Sequence, residues 1–199
     1  MRWDRFFDDL EDQLASEWEA EKAALDSETE RLRLSRVPLR DRLTVLAEEG
    51  QAAVASFELR DGTVLRARVS GVGADWAALE PAEGRPGALI VPLSAVVSIG
   101  MPHPELLRSA RAVPPSPLRE RMTLGFALRD LMRRRVGVTL HLAGGRSVAG
   151  TVDRAGADHL DLAVHEPGAP RRAEEVTGYR LVPFDAILCV RLNGGARPL

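Results

Sequence analysis

Apolar and polar positions alternate most cleanly between residues 136 and 164. Val136, Val138, Leu140 and Leu142 occupy every second position, the signature of a strand with one buried face. Gly144-Gly145 follows and reads as a hairpin turn, where positive φ is required. Val148, Gly150 and Val152 resume the alternation, Gly156-Ala157-Asp158 turns the chain, and Leu160, Leu162 and Val164 predict a third strand. Residues 179–182 and 186–192 supply two more, with Pro183 at the corner between them, a position that suits a strand end. Upstream, Ala55, Phe57 and Leu59, then Leu65, Ala67 and Val69, then Ala77 and Leu79, keep the same rhythm.

The two stretches read as copies of each other. Residues 59–79, LRDGTVLRARVSGVGADWAAL, align without a gap on residues 142–162, LAGGRSVAGTVDRAGADHLDL, at an offset of 83. VPLSAVVSI at 91–99 then aligns with VPFDAILCV at 182–190 at an offset of 91, the extra residues falling in a stretch of Gly, Pro and charge. Five short, bent strands per copy predict a small closed barrel, because closure removes exposed edges. PLRDRLT at 38–44 and PLRERMT at 117–123 place a helical segment before each copy, with Pro in its first turn. The second is expected to run on through Met132, with Leu118, Met122, Phe126 and Leu131 on its apolar face. Units of about 60 residues are marginal alone, so the copies are expected to pack together or associate further.

The expected fold class is therefore mostly β with helices (α+β): a long N-terminal helix, then two tandem five-stranded barrels, each preceded by a helical segment. The boundaries read as 1–36 for an acidic amphipathic helix, 37–100 for the first unit, 101–116 for a proline-rich connector, 117–193 for the second unit and 194–199 for a flexible tail. Residues 1–36 carry 11 acidic and 6 basic residues, with Trp3, Phe7, Leu10, Leu14, Trp18, Leu25 and Leu32 forming one helical stripe. Two readings of that stripe stay open. It is a surface for self-association or a partner helix, with Trp3, Phe7, Leu10, Leu14 and Trp18 as binding positions, or it folds back along its own barrels. Glu21 and Glu28 interrupt the heptad.

The order of these elements resembles the Sm-like barrel, within the broader SH3-like class. The residues that carry the resemblance are a helix, then Leu140-x-Leu142-x-x-Gly145, Gly150-x-Val152, Asp158-x-Leu160-x-Leu162 and Ala186-Ile187-x-x-Val190. It covers roughly residues 37–100 and 117–192, and it implies RNA binding and ring formation. The pattern departs from the family where a base-binding Asn is expected: Leu160 or Asp161 stands there, and Ala77 or Ala78 in the first copy. The Arg-Gly pair usual between the last strands is replaced by Pro92-Leu93-Ser94 and Pro183-Phe184-Asp185. The opening MRWDRFFDDLEDQLASEWEAE resembles that of an uncharacterised actinobacterial protein family.

Charge narrows the functional classes. A net charge of −2 over 199 residues excludes a polyanion binder working by global charge, so a nucleic-acid surface has to be a local patch. Arg119, Arg121, Arg129, Arg133, Arg134 and Arg135 form one, and segment 119–135 nets +4. Its guanidinium forks would either hold phosphates or be answered by the acidic residues 1–36. Trp76 points outward by alternation and reads as a contact between units or subunits, or as a stacking platform for a base.

Chemistry adds little. The single Cys189 excludes an intrachain disulfide and a Cys-based zinc site. His159, Asp161 and His165 share a strand face, but the two histidines lie about 20 Å apart if extended, so a solvated polar face is expected rather than a metal site. No nucleophile elbow, phosphate loop or dinucleotide fingerprint is present. No run approaches the roughly 20 apolar residues of a membrane helix, and the acidic N-terminus is unlike a secretory signal, so a cytoplasmic location without a membrane partner is expected. The expectation is a non-enzymatic binding or assembly module without cofactor or metal. A protein-interaction or oligomerisation scaffold is the first reading, and a regulatory RNA- or DNA-binding protein using 119–135 the alternative.

Overall fold

Among the described residues ten strands join edge to edge in one antiparallel sheet, in the order β5-β1-β2-β3-β4-β10-β6-β7-β8-β9. This computed structural model describes residues 2–48, 54–84, 87–168, 172, 174–196 and 198, with the side chains of 2–17 and 20 outside the description. It divides into two compact units, Met1–Pro38 and Leu39–Leu199. The first holds α1 (Arg2–Ser35). The second is an α+β body containing the whole sheet.

In that body α2 (Leu39–Glu48) precedes β1 (Ala55–Leu59), β2 (Val64–Val72), β3 (Trp76–Pro81), β4 (Leu89–Pro92) and β5 (Val96–Gly100). The helices α3 (His103–Ser109), α4 (Pro117–Arg121) and α5 (Leu124–Arg133) follow. Then come β6 (Gly137–Leu142), β7 (Arg146–Ala155), β8 (His159–Val164), β9 (Gly178–Pro183) and β10 (Ile187–Leu192). The first five strands are ordered β5-β1-β2-β3-β4 and the last five β10-β6-β7-β8-β9, the same sequence shifted by five.

The two halves of the sheet contain similar local geometry. The β2–β3 ladder slips between Val69 and Gly71, and the β7–β8 ladder slips between Val152 and Arg154. Each slip adds a residue to one strand and bends it. Gly73 N–H donates to the Trp76 carbonyl at 2.9 Å, and Gly156 N–H to the His159 carbonyl at 2.8 Å. Arg60 N–H reaches the Ala95 carbonyl at 3.0 Å, and Ala143 N–H the Ala186 carbonyl at 2.9 Å. The β6–β7 turn carries Gly144 and Gly145 at φ +83° and +74°, where a Cβ would be strained.

The expectation for residues 117–132 needs correction. Residues 117–132 are not one helix. Thr123 Oγ1 accepts the Phe126 N–H at 3.3 Å and starts α5 afresh, so the chain breaks at Met122-Thr123. Leu118 and Phe126 are consequently exposed, and the buried face of α5 is Leu124, Ala127, Leu128 and Leu131, at the i, i+3, i+4, i+7 spacing of an amphipathic helix. The matching heptapeptides therefore fall on non-equivalent elements: α2 packs on β2, whereas the helix packed on β7 is α5 and not α4. The connector 101–116 is also partly ordered, because Arg42 donates to Ser109 Oγ at 3.1 and 3.0 Å and to the Leu106 carbonyl at 2.8 Å, seating α3 against α2.

Candidate assembly interface

The two halves of the sheet meet where β10 pairs with β4, with Val190 opposite Ile90 and Arg191 opposite Leu89. Side chains are exchanged across this seam. Ile90, Trp76 and Ala78 of the first half pack among Leu128, Val138, Leu140 and Leu160 of the second. In return Leu188 and Cys189 of the second half pack among Leu43, Phe57, Leu59 and Leu79 of the first. Each hydrophobic core is thus completed by strand residues from the other half.

Polar contacts fix the corner of the seam. Trp76 Nε1 donates to the Met122 carbonyl at 2.8 Å, and Ala74 N–H donates to the same oxygen at 2.9 Å. Asp75 Oδ1 accepts the Leu124 N–H at 2.6 Å, placing a carboxylate at the N-terminus of α5, where the helix dipole favours it. Arg60 Nη2 donates to the Asp185 carbonyl at 2.7 Å. Trp76, read from alternation as outward-facing, does leave its own half, but it is buried and offers no open platform for a base.

The outer ends of the sheet carry the counterparts of the seam strands. Among the described residues, β5 pairs only with β1 and β9 only with β8. Val97 of β5 corresponds to Leu188 of β10 and is 62% exposed where Leu188 is 1% exposed. Leu181 of β9 corresponds to Ile90 of β4 and is 68% exposed where Ile90 is 0% exposed. The grooves beside them follow suit. Leu59, Thr63 and Leu65 line a cavity of about 250 Å³ walled by Leu188, Cys189 and Arg191 of β10. Leu142 and Arg146, which also border that cavity, line with Val148, Leu181 and Val182 a larger groove of about 430 Å³. No described strand plays the part of β10 there.

The seam cavity holds several titratable groups. Burial, with Arg191 nearby, pulls the His141 imidazole below its ordinary value, and His141 Nδ1 lies 3.0 Å from Ser147 Oγ. The Thr63 N–H donates to Asp61 Oδ1 at 3.0 Å and holds that carboxyl below its ordinary value. Burial pushes the Cys189 thiol up to about 12.

The arginine patch is partly neutralised within its own unit. Arg133 Nη2 and Arg134 Nη1 both pair with Asp130, at 3.1 and 3.0 Å, and Arg119 Nη2 pairs with Glu48 at 3.2 Å. Arg129 donates to the Gly156 carbonyl at 3.4 Å, while Arg121 and Arg135 are exposed. The six residues are split between α4 and α5, with Arg134 and Arg135 past the helix end.

His159, Asp161 and His165 do not share a solvated face. His165 is buried, with Nε2 2.8 Å from Thr151 Oγ1 and Nδ1 3.0 Å from the Glu166 carbonyl. His159 Nδ1 sits 2.7 Å from Asp158 Oδ1, and that contact holds the Asp158 carboxyl below its ordinary value. Of the stripe on α1, Trp18 is exposed, and Trp3, Phe7, Leu10 and Leu14 lie outside the described side chains. Sequence reasoning missed Val97 and Leu181; the signal was available, since the 91-residue offset sets each beside a partner of similar size in the other copy. Among the described residues no helix is long and apolar enough to cross a membrane. No protein-family model matches the chain, and no curated protein matches it.

Proposed function

We propose that this chain is a non-enzymatic assembly scaffold, built from two tandem Sm-like barrels behind a long N-terminal helix, whose copies join head to tail. In the joint, β9 of one copy pairs with β5 of the next as β4 pairs with β10 inside the chain. The observation that carries this reading is the contrast at equivalent positions: Leu188 and Ile90 are buried at the seam, and Val97 and Leu181 are exposed at the ends. An unpaired strand edge with apolar side chains is a template for another strand, which proteins ordinarily blunt or cover. Head-to-tail pairing of this kind is heterologous, so it closes into a ring or continues as a filament.

The test uses two variants of the full chain, Val97→Lys and Leu181→Lys, weighed by light scattering after size exclusion. Each alone should lose higher assemblies. Mixed together, with Glu21→Lys in both to weaken any contact through α1, they should form a dimer and nothing larger, because each keeps one intact edge of opposite kind. A wild type that is monomeric at all concentrations, or variants with wild-type mass, would overturn the proposal.

A second reading, a regulatory RNA- or DNA-binding protein, draws on the exposure of Arg121, Arg129 and Arg135. It requires an affinity for RNA or duplex DNA that falls steeply with salt and drops on Arg121→Ala and Arg135→Ala substitution. Affinity indifferent to both substitutions would remove it.

A further inference from the structure

The helix α1 forms a unit by itself, and every described side chain from Trp18 through Arg33 is exposed. An amphipathic helix is held chiefly by packing of its apolar face, so Trp18, Leu25 and Leu32 left in water call for a partner. Its centre carries a small patch made by Trp18, Glu21, Lys22 and Leu25, which line one surface depression. Trp18 and Leu25 are 74% and 63% exposed. Lys22 is the only lysine in the chain, and it adjoins the Glu21 that interrupts the apolar stripe.

This patch is self-complementary under one operation. A two-fold axis between residues 21 and 22, perpendicular to the helix, sets each Trp18 against Leu25 of the second copy and each Glu21 against its Lys22. We propose that α1 pairs antiparallel with α1 of a second copy about this axis. The charge gradient along the helix selects the same orientation. Residues 4–30 carry 11 acidic and 2 basic residues, and residues 31–36 carry three arginines and no acid. Antiparallel pairing brings Arg31 opposite Asp12 and lays the basic end beside acidic chain. Parallel pairing in register would set Glu21 against Glu21 and the acidic segments against each other, which is repulsive. Arg33 is already engaged, by two 2.7 Å hydrogen bonds from its guanidinium to Glu30, and is not needed for the pairing.

This isologous contact uses a surface other than the sheet edges and does not depend on the head-to-tail reading. Single cysteines introduced in the full chain test it, with a short bismaleimide as crosslinker. The native Cys189 is buried and does not compete. Glu21→Cys sits beside the axis and should crosslink to itself. Leu32→Cys should not, because residue 32 of one helix would face residue 11 of the other, and 21 residues of helix rise span about 31 Å. The same pattern should appear in the Val97→Lys background, which separates this contact from strand pairing.

A charge series supplies the second measurement. Glu21→Lys and Lys22→Glu should each weaken the helix contact about tenfold, since each replaces two symmetric attractions by two repulsions. The double variant Glu21→Lys/Lys22→Glu should restore it. Crosslinking at both cysteine positions would show parallel pairing, and crosslinking at neither would show that α1 meets a different chain; either result overturns the proposal.

Discussion

Trp76 on β3 donates its indole N–H to the Met122 carbonyl at 2.8 Å, 46 positions further along the chain. The bond ties the first half of the sheet to the turn between α4 and α5, and the ring packs in the second half's core. Met122 O also accepts from Ala74 N–H at 2.9 Å, so loss of the indole donor does not orphan the carbonyl. Trp76→Phe should therefore cost about 1 kcal/mol, the net worth of one hydrogen bond, plus a small packing loss. Trp76→Ala opens a cavity at the seam and should cost about 3–5 kcal/mol. Urea denaturation of the two variants checks the ratio. Equal losses would mean that the ring contributes no packing there.

The interior of the second half makes its own prediction. Nδ1 of His165 lies against the Glu166 carbonyl, so that nitrogen carries the proton and Nε2 accepts from the Thr151 hydroxyl. Thr151→Val keeps the shape and removes the donor, leaving a buried acceptor without a partner. The expected cost is about 1–3 kcal/mol, and Thr151→Ser should cost less because it retains the hydroxyl. Thr151→Val with unchanged stability would mean that water reaches Nε2.

What could be read in the sequence and what could not divides along a physical line. Strand alternation and the Gly144-Gly145 turn are local patterns, and each has a counterpart in the ladders and backbone angles. Helix α5 was misjudged because Pro117 and Thr123 both signal a helix start, and the sequence does not say that the first helix stops after one turn. Trp76 and His165 were misplaced for a non-local reason. Alternation gives a face relative to a strand's own sheet, whereas their burial depends on α5 and on Thr151. The exchange of Leu188 for Ile90 across the seam was hidden for the same reason, because pairing between β4 and β10 joins residues about a hundred positions apart.

Cys189 gives a pH dependence with a definite sign. Burial raises its folded-state value from 9.0 to about 12, while the unfolded chain keeps the lower one. Below pH 9 the thiol is protonated in both states and its contribution to stability is fully present. As pH rises from 9 toward 12 the unfolded state ionises first, and stability should fall by up to about 1.4 kcal/mol per pH unit from this group. The difference between wild type and Cys189→Ala isolates it from other alkaline titrations. Thiol reagents should label the folded chain only as fast as it opens. Fast labelling at pH 8 would contradict the packing of Cys189 into the first half's core.

Arg135 is the one described residue other than glycine with positive φ, at +51°. It stops α5: its N–H donates to the Met132 carbonyl at 3.1 Å, and the Val136 N–H to the Leu131 carbonyl at 3.0 Å. Glycine is the usual residue for this left-handed stop, and an L side chain there costs about 1–2 kcal/mol. Arg135→Gly relieves that strain but loosens the unfolded chain, which takes back about 0.5–1 kcal/mol. The variant should be more stable than wild type by about 0.5 kcal/mol, seen as a rise in Tm of about 1–2 °C. The same protein reports on the nucleic-acid reading. Arg135→Gly that is stabilised and unchanged on polyanion would leave the strained arginine without a role in binding. A stabilised variant with weaker, less salt-sensitive binding would make the strain a cost tolerated for a phosphate contact.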